Sequence, residues 1–113
     1  NEVTLWGSGT PLREFLHVDD LSQAILLAIK NDFPDHLYNV GSSQEISINN
    51  LALMIKKIVG YNGKILWDSS KPDGTPRKLM DSSKINKLGF SPKISLEQGI
   101  IKTYKWYLEN RIN

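Results

Sequence analysis

Short strand-like runs alternate with helical segments along this chain, and the alternation restricts the folds that it can adopt. The strand candidates are residues 3–6, 37–40 and 64–67. Strands that alternate with helices are typical of the α/β class. Three runs of this length are too few and too short for a self-sufficient parallel sheet, so we expect them to extend a sheet that lies elsewhere.

Four helices are predicted from their caps and from apolar residues at helical spacing. Either Asp19 or Asp20 can cap the first helix, and Ser47 caps the second. Ser95 and Gln98 form a capping box at the start of the fourth helix. The predicted helices cover about residues 21–31, 48–59, 82–88 and 96–109.

Residues 68–78 show no periodicity and are dense in serine, proline, glycine and charged side chains. The sequence therefore predicts a loop of at least eleven residues. Loops of this length are uncommon in a compact domain and usually carry function.

The composition is that of a globular domain, with 40% hydrophobic and 23% charged residues in a chain of 113. No apolar stretch approaches the ~18 residues of a membrane-spanning helix, and there is no signal pattern and no cysteine, so we expect a cytosolic protein that does not contact membranes. The net charge of +2 is too small to indicate a nucleic-acid partner. Because the first residue is Asn1 and not methionine, we expect a piece of a longer polypeptide.

No catalytic, cofactor-binding or metal-binding residue is predicted in this sequence. Gly7-Ser8-Gly9 resembles a dinucleotide-binding turn, but Leu12 takes the place of the third glycine and Pro11 precedes it. No serine has a nucleophile-elbow context, and no tyrosine is followed four residues later by lysine. His17 and His36 lack the spacing of a metal pair, and we expect His17 to be a hydrogen-bonded structural residue.

Cationic and aromatic side chains cluster instead near the glycine turn and in the 68–78 loop. Trp6 and Arg13 flank the turn, and the loop contributes Asp73, Arg77 and Lys78. If the two segments converge, their guanidinium and ammonium groups would form an anion site with an aromatic wall. From these residues alone, a solvated charged surface is an equally good interpretation.

Two segments, residues 6–20 and 70–79, resemble the GDP-L-fucose synthases, a family of the extended short-chain dehydrogenases. The Arg-Glu-Phe-Leu-His-Val-Asp-Asp stretch from Arg13 is shared in looser form by many nucleotide-sugar epimerases and dehydratases. Trp6 before the glycines and the Lys-Pro-Asp-Gly-Thr-Pro-Arg-Lys run from Lys71 are more specific. The likeness extends over essentially the whole chain.

The resemblance implies that residues 1–113 form a single domain, the C-terminal substrate-binding lobe of such an enzyme, made mainly of helices with short strands. The parent enzyme would convert GDP-4-keto-6-deoxy-D-mannose to GDP-L-fucose by epimerisation and reduction. Its N-terminal Rossmann half, absent here, would bind NADPH and carry the catalytic serine and Tyr-x-x-x-Lys residues. We therefore expect the chain alone to be inactive, and the parent enzyme to be a homodimer.

The resemblance also assigns the substrate-binding residues. Trp6 would flank the nucleotide and Arg13 would hold the diphosphate. Asp73 and Lys78 would contact the ligand from the loop, with Arg77 in reserve. Asp19 and Asp20 match the motif as well, but their expected role is helix capping, so they are left out of the predicted site.

Two alternatives stay open at this point. The chain could belong to an enzyme for another nucleotide-sugar, or be a free-standing module that uses Trp6, Trp67 and the basic loop to bind nucleic acid or a protein. We also expect self-association of the isolated chain, because residues 37–40 would expose an unpaired strand edge beside an apolar docking face.

Overall fold

The computed structural model describes residues 1–111 of the chain, which contain short strands and four helices. In chain order the elements are β1 (Glu2–Trp6), β2 (Leu12–Glu14), α1 (Val18–Lys30), β3 (Glu45–Ser47), α2 (Ile48–Ile58), β4 (Lys64–Asp68), β5 (Arg77–Lys78), α3 (Ser83–Lys87) and α4 (Leu96–Asn110). The predicted α/β class is confirmed.

The predicted ends of the helices are confirmed where a local signal marks them. The Ser47 hydroxyl accepts from the Asn50 N–H at 3.1 Å and begins α2. The Ser95 hydroxyl and the Gln98 side chain form the complete capping box of α4. Gly60 and Gly89 follow α2 and α3 with φ of +69° and +101°, a conformation that favours glycine.

The predicted capping of α1 by Asp19 or Asp20 is wrong. His17 is the N-cap, and its Nδ1 accepts from the Asp19 N–H at 3.1 Å. The buried Asp20 carboxylate instead accepts from the backbone N–H groups of Lys93 and Ile94, both at 3.0 Å. An aspartate near a helix start can bond to a distant segment as well as to its own helix, and here the distant segment prevails.

Residues 37–40 form no strand within the described chain, where no other strand pairs with them; that they extend a sheet lying elsewhere stays a prediction. Tyr38 and Val40 instead pack beside the small core formed by Ala24, Ile85 and Phe90. The segment has the apolar character of a strand but no neighbouring backbone to complete a ladder.

The strands form two small sheets. β1 pairs with β4 in parallel, with Trp6 opposite Asp68, and these are the strands that the sequence predicts. The second sheet has the order β3-β2-β5, in which β2 is antiparallel to β3 and parallel to β5. The sequence gives no sign of this sheet, because its strands have two or three residues each.

The described chain is extended for its length and buries little. Its radius of gyration is 17.0 Å, whereas a compact domain of this length has about 13 Å. Its accessible surface is 8386 Å², against about 6,300 Å² for a monomer of this mass. Several large apolar side chains are exposed, among them Ile29 and Leu37 at 74% and 77%. A large apolar area is therefore available for contact with another protein surface.

Candidate functional site

The predicted loop of residues 68–78 is shorter in the structure, because Asp68 belongs to β4 and Arg77 and Lys78 form β5, so the long loop is residues 69–76. The glycine turn and this long loop leave from the same edge of the β1–β4 pair. Trp6 ends β1 directly opposite Asp68, which ends β4, and the Gly7 N–H donates to the Asp68 carbonyl at 2.9 Å. The carboxyl ends of parallel strands lie at one edge of a sheet, where α/β proteins bind ligands. The glycine turn and the long loop therefore converge, as the interpretation of an anion site requires.

Trp6 presents its indole to solvent at this edge, with 74% of the residue exposed. The ammonium of Lys71 lies over the indole, 5.6 Å from the ring centroid, at a distance where a cation is attracted to the ring face. An exposed aromatic face beside a mobile cation can stack on a planar base.

Arg13 lies on β2 and is tied to the long loop. Its Nη1 donates to the carbonyls of Leu12 and Thr75 at 2.6 and 2.7 Å. Within residues 1–111, Nε and Nη2 have no protein hydrogen-bond partner. The guanidinium is therefore oriented by the protein and retains donors for an anion.

Lys78 is the register neighbour of Arg13 across the parallel β2–β5 pair. Side chains at register positions of parallel strands lie on the same face of the sheet, so the two cations are adjacent. Their combined charge favours a phosphate or diphosphate group at this face.

Arg77 lies on the opposite face of β5 and forms a bidentate ion pair with Glu45 of β3. Nε and Nη2 each donate to one Glu45 oxygen at 2.7 Å. The guanidinium lowers the pKa of the Glu45 carboxyl, and the same hydrogen bond raises the pKa of Arg77. Arg77 thus joins the two outer strands of the sheet, and of the two adjacent cations Lys78 is the one beside Arg13.

Asp73 lies in the long loop and contacts the glycine turn. Its two carboxylate oxygens accept from the Ser8 N–H at 2.7 Å and from the Ser8 hydroxyl at 2.6 Å. The Ser8 hydroxyl and N–H hold the pKa of the Asp73 carboxyl below its ordinary value. Each oxygen keeps a second lone pair, so Asp73 can still accept a hydrogen bond from a ligand.

Two residues of this region were missed from the sequence. Ser8 was considered only as part of a glycine turn. Glu14, next to Arg13, accepts from the backbone N–H groups of Ser43 and Met80, both at 3.0 Å. No sequence signal could have found these bonds, because their partners lie 65, 29 and 66 residues away.

The turn at Gly7-Ser8-Gly9 does not fit the pyrophosphate of a dinucleotide. It leads into β2, whereas a dinucleotide-binding turn leads into a helix whose N-terminus faces the pyrophosphate. Within residues 1–111 there is no group of three or more metal-ligating side chains and no helix long and apolar enough to cross a bilayer. What the arrangement offers is an exposed aromatic face beside the Lys71 ammonium, and two cations, Arg13 and Lys78, that are register neighbours on the β2–β5 pair.

Comparisons with known proteins show which proteins the chain is similar to. The family model described as "NAD dependent epimerase/dehydratase family" matches residues 1–41. The chain is 55% identical over 112 residues to the probable GDP-L-fucose synthase 1 of Oryza sativa subsp. japonica, covering 99% of this chain and 34% of that protein. It is 47% identical to the GDP-L-fucose synthase of Escherichia coli K12, covering 97% of this chain and 37% of that protein.

A solved structure of a GDP-L-fucose synthetase from Naegleria fowleri bound to NADP superposes with a TM-score of 0.88 at 32% identity, covering 96% of this chain and 35% of that one. The chain is thus similar to GDP-L-fucose synthases over nearly its whole length, and its first 41 residues match the epimerase/dehydratase family model. The predicted resemblance and fold class are thus confirmed. The chain spans about a third of the length of these relatives.

Proposed function

We propose that this chain is the nucleotide-sugar-binding part of an NADPH-dependent epimerase-reductase that converts GDP-4-keto-6-deoxy-D-mannose to GDP-L-fucose. One observation carries the proposal: the turn after Trp6 is hydrogen-bonded to the long loop through Asp73, and Arg13, the register neighbour of Lys78, is hydrogen-bonded to the same loop at Thr75. The sequence match to GDP-L-fucose synthases supports guanosine as the base.

In this proposal the site contributes binding energy and orientation. The Trp6 indole stacks on the base, and the Nε and Nη2 donors of Arg13, with the Lys78 ammonium, neutralise the diphosphate. Asp73 accepts a hydrogen bond from the ligand in addition to those from Ser8. An anchored nucleotide holds the keto sugar in place for groups on another part of the enzyme.

NADPH and the catalytic groups belong to that other part. The glycine turn of this chain does not fit a dinucleotide, and the sequence has no Tyr-x-x-x-Lys pair. When bound elsewhere in the enzyme, NADPH would supply the hydride that reduces the ketone. We therefore propose that the chain by itself is inactive. That the complete enzyme is a cytosolic homodimer is a separate proposal, which rests only on the similarity to GDP-L-fucose synthases.

The exposed apolar surface supports a large covering partner. Along α1, one outer face carries Val18, Leu21, Ile25 and Ile29, which are 65%, 41%, 53% and 74% exposed. We propose that this face packs against the Rossmann domain of the complete enzyme. Such a contact would bury an area comparable to about 2,000 Å², which is the amount by which the accessible surface of the described chain exceeds that of a compact monomer of the same mass.

The test uses the chain and a chimera. The chimera is the Escherichia coli enzyme with its matching region replaced by residues 1–113, which are 47% identical to it. We expect the chimera to form GDP-L-fucose with NADPH and the chain alone to form none. Calorimetry of both proteins with GDP, UDP, dTDP and a short oligonucleotide should show preference for GDP.

The outcomes separate the alternatives. Preference for UDP or dTDP would assign the chain to another nucleotide-sugar enzyme, and preference for the oligonucleotide would indicate a nucleic-acid module. A chimera that binds NADPH but neither binds nor converts the GDP-sugar would overturn the proposal.

A further inference from the structure

The turn after Trp6 and the long loop are fastened to each other by one serine. Ser8 donates both its N–H and its hydroxyl to the carboxylate of Asp73, 65 residues further along the chain. A Cβ at Gly7 would collide with the same carboxylate, so the turn closes directly onto Asp73. The contact is therefore tight enough to fix one segment relative to the other.

The hydrogen-bonding capacity of Ser8 is fully used within the protein. Its hydroxyl oxygen lies 2.8 Å from the Thr10 hydroxyl and accepts from the Thr10 N–H at 3.2 Å, while its proton goes to Asp73. No donor of Ser8 is left for a ligand, so any effect of Ser8 on binding must pass through the position of its neighbours.

Those neighbours are the ligand-facing groups of the proposed site. Only Gly7 separates Trp6 from Ser8, and Lys71 of the long loop lies over the Trp6 indole. Arg13 donates to the Thr75 carbonyl two residues beyond Asp73. The bonds from Ser8 and from Arg13 thus hold the same stretch of loop at two points.

We propose that Ser8 is a positioning residue for nucleotide binding: by holding Asp73, it sets the long loop and the Trp6 indole in the arrangement that receives the base and diphosphate. The inference rests on the proposed function and adds to it that the two segments are pre-assembled before ligand arrives. Pre-assembly lowers the entropy that binding would otherwise lose in ordering the loop.

The test is a double-mutant cycle of Ser8 and Asp73. The Kd for GDP is measured in the 113-residue chain and in the chimera, and the KM for the GDP-sugar is measured in the chimera. Ser8→Ala is expected to weaken GDP binding about tenfold. Ser8→Thr, which keeps both donors, should restore affinity to within about twofold of the unmodified chain. KM should rise in the Ser8→Ala chimera while kcat changes little.

Asp73→Asn and the double variant complete the cycle. If Ser8 acts through Asp73, the double variant binds GDP about as weakly as Asp73→Asn alone, because coupled residues are not additive. The control is Ser69→Ala, which removes an exposed hydroxyl at the start of the same loop and should leave binding unchanged.

The inference is overturned if Ser8→Ala binds GDP as the unmodified chain does, or if the two substitutions are additive. Should Ser8→Ala lose its far-UV circular dichroism, Ser8→Gly, which removes the hydroxyl and suits a turn, takes its place in the cycle: weaker GDP binding that is not additive with Asp73→Asn supports positioning, and unchanged binding contradicts it. Failure of the unmodified proteins to bind GDP would instead overturn the proposed function.

Discussion

The Arg13 guanidinium uses Nη1 for hydrogen bonds within the described chain, which leaves Nε and Nη2 to donate to a ligand. Arg13→Ala removes all of these donors, and we expect GDP affinity to fall about 10- to 100-fold, the range for charge-assisted hydrogen bonds. The GDP affinity of Arg13→Lys should lie between those of the unmodified protein and Arg13→Ala, because an ammonium keeps the charge without the planar guanidinium. Calorimetric titration of the chimera measures the loss.

The matched control for Arg13 is Lys105→Ala. Lys105 is an exposed cation on α4 with only a 3.9 Å contact to Glu109, and its loss changes net charge by the same amount. Equal weakening by Lys105→Ala and Arg13→Ala would mean that overall charge, and not the site, attracts the nucleotide.

Asp73 allows a pH prediction with a defined sign. Its carboxyl has a pKa below the ordinary 3.8 because the Ser8 donors favour the charged form. The stabilisation from the Ser8–Asp73 contact is therefore fully present above pH 3.8, and it is lost as pH falls through the lower pKa of Asp73 in the folded protein. In Ser8→Ala the pKa of Asp73 should rise toward its ordinary value, which carbon-13 NMR titration of the side-chain carboxyl measures. An unchanged pKa would contradict the role assigned to Ser8.

At the scale of elements, Asp20 joins α1 to the segment before α4 through two backbone N–H groups. Because the carboxylate is buried, Asp20→Ala leaves both donors without a partner, and we expect a loss of about 3 kcal/mol in the free energy of unfolding. Urea denaturation measures it. Asp32→Ala, which removes an exposed carboxylate just beyond the same helix, should change stability by less than about 0.5 kcal/mol.

Elements with local signals were predictable and those made by distant pairing were not. Ser47 and the Ser95–Gln98 box mark helix starts within three residues, so α2 and α4 follow from the sequence. β5 has two residues and exists only because β2 lies beside it, which no local pattern records. Residues 37–40 show the converse, a strand-like pattern without a partner strand among the described residues.

The same distinction applies to the site. The resemblance placed Trp6, Arg13 and Lys78 among the expected ligand groups, whereas residue chemistry alone left a solvated charged surface equally possible. The β2–β5 pairing puts Arg13 beside Lys78, and the Ser8–Asp73 bonds join the turn after Trp6 to the long loop. Ser8 and Glu14 could not be predicted, because no sequence pattern distinguishes a serine in a glycine turn or a glutamate in a short strand. Their roles depend on backbone groups contributed by other segments.

At the scale of the whole molecule, the uncovered apolar face of α1 predicts self-association of the isolated chain. Sedimentation at increasing concentration should show dimers or larger species, and a hydrophobic dye should bind. Ile25→Lys should reduce both, because Ile25 lies on the exposed stripe at 53% exposure. Gln23→Lys adds the same charge to another side of the helix and should not. A monomer without dye binding would contradict the docking face proposed for α1.

The parallel pairing of β1 with β4 has a consequence for the order in which the molecule folds. Glu2 meets Lys64 only after a chain of about sixty residues has closed on itself, which is slow compared with helix formation. The helices have strong local starts and can form early, whereas the Trp6 turn and the long loop meet only when this pair closes. Recovery of nucleotide binding during refolding should therefore be slower than recovery of the circular dichroism signal. Bound nucleotide should lower the unfolding rate more than it raises the folding rate.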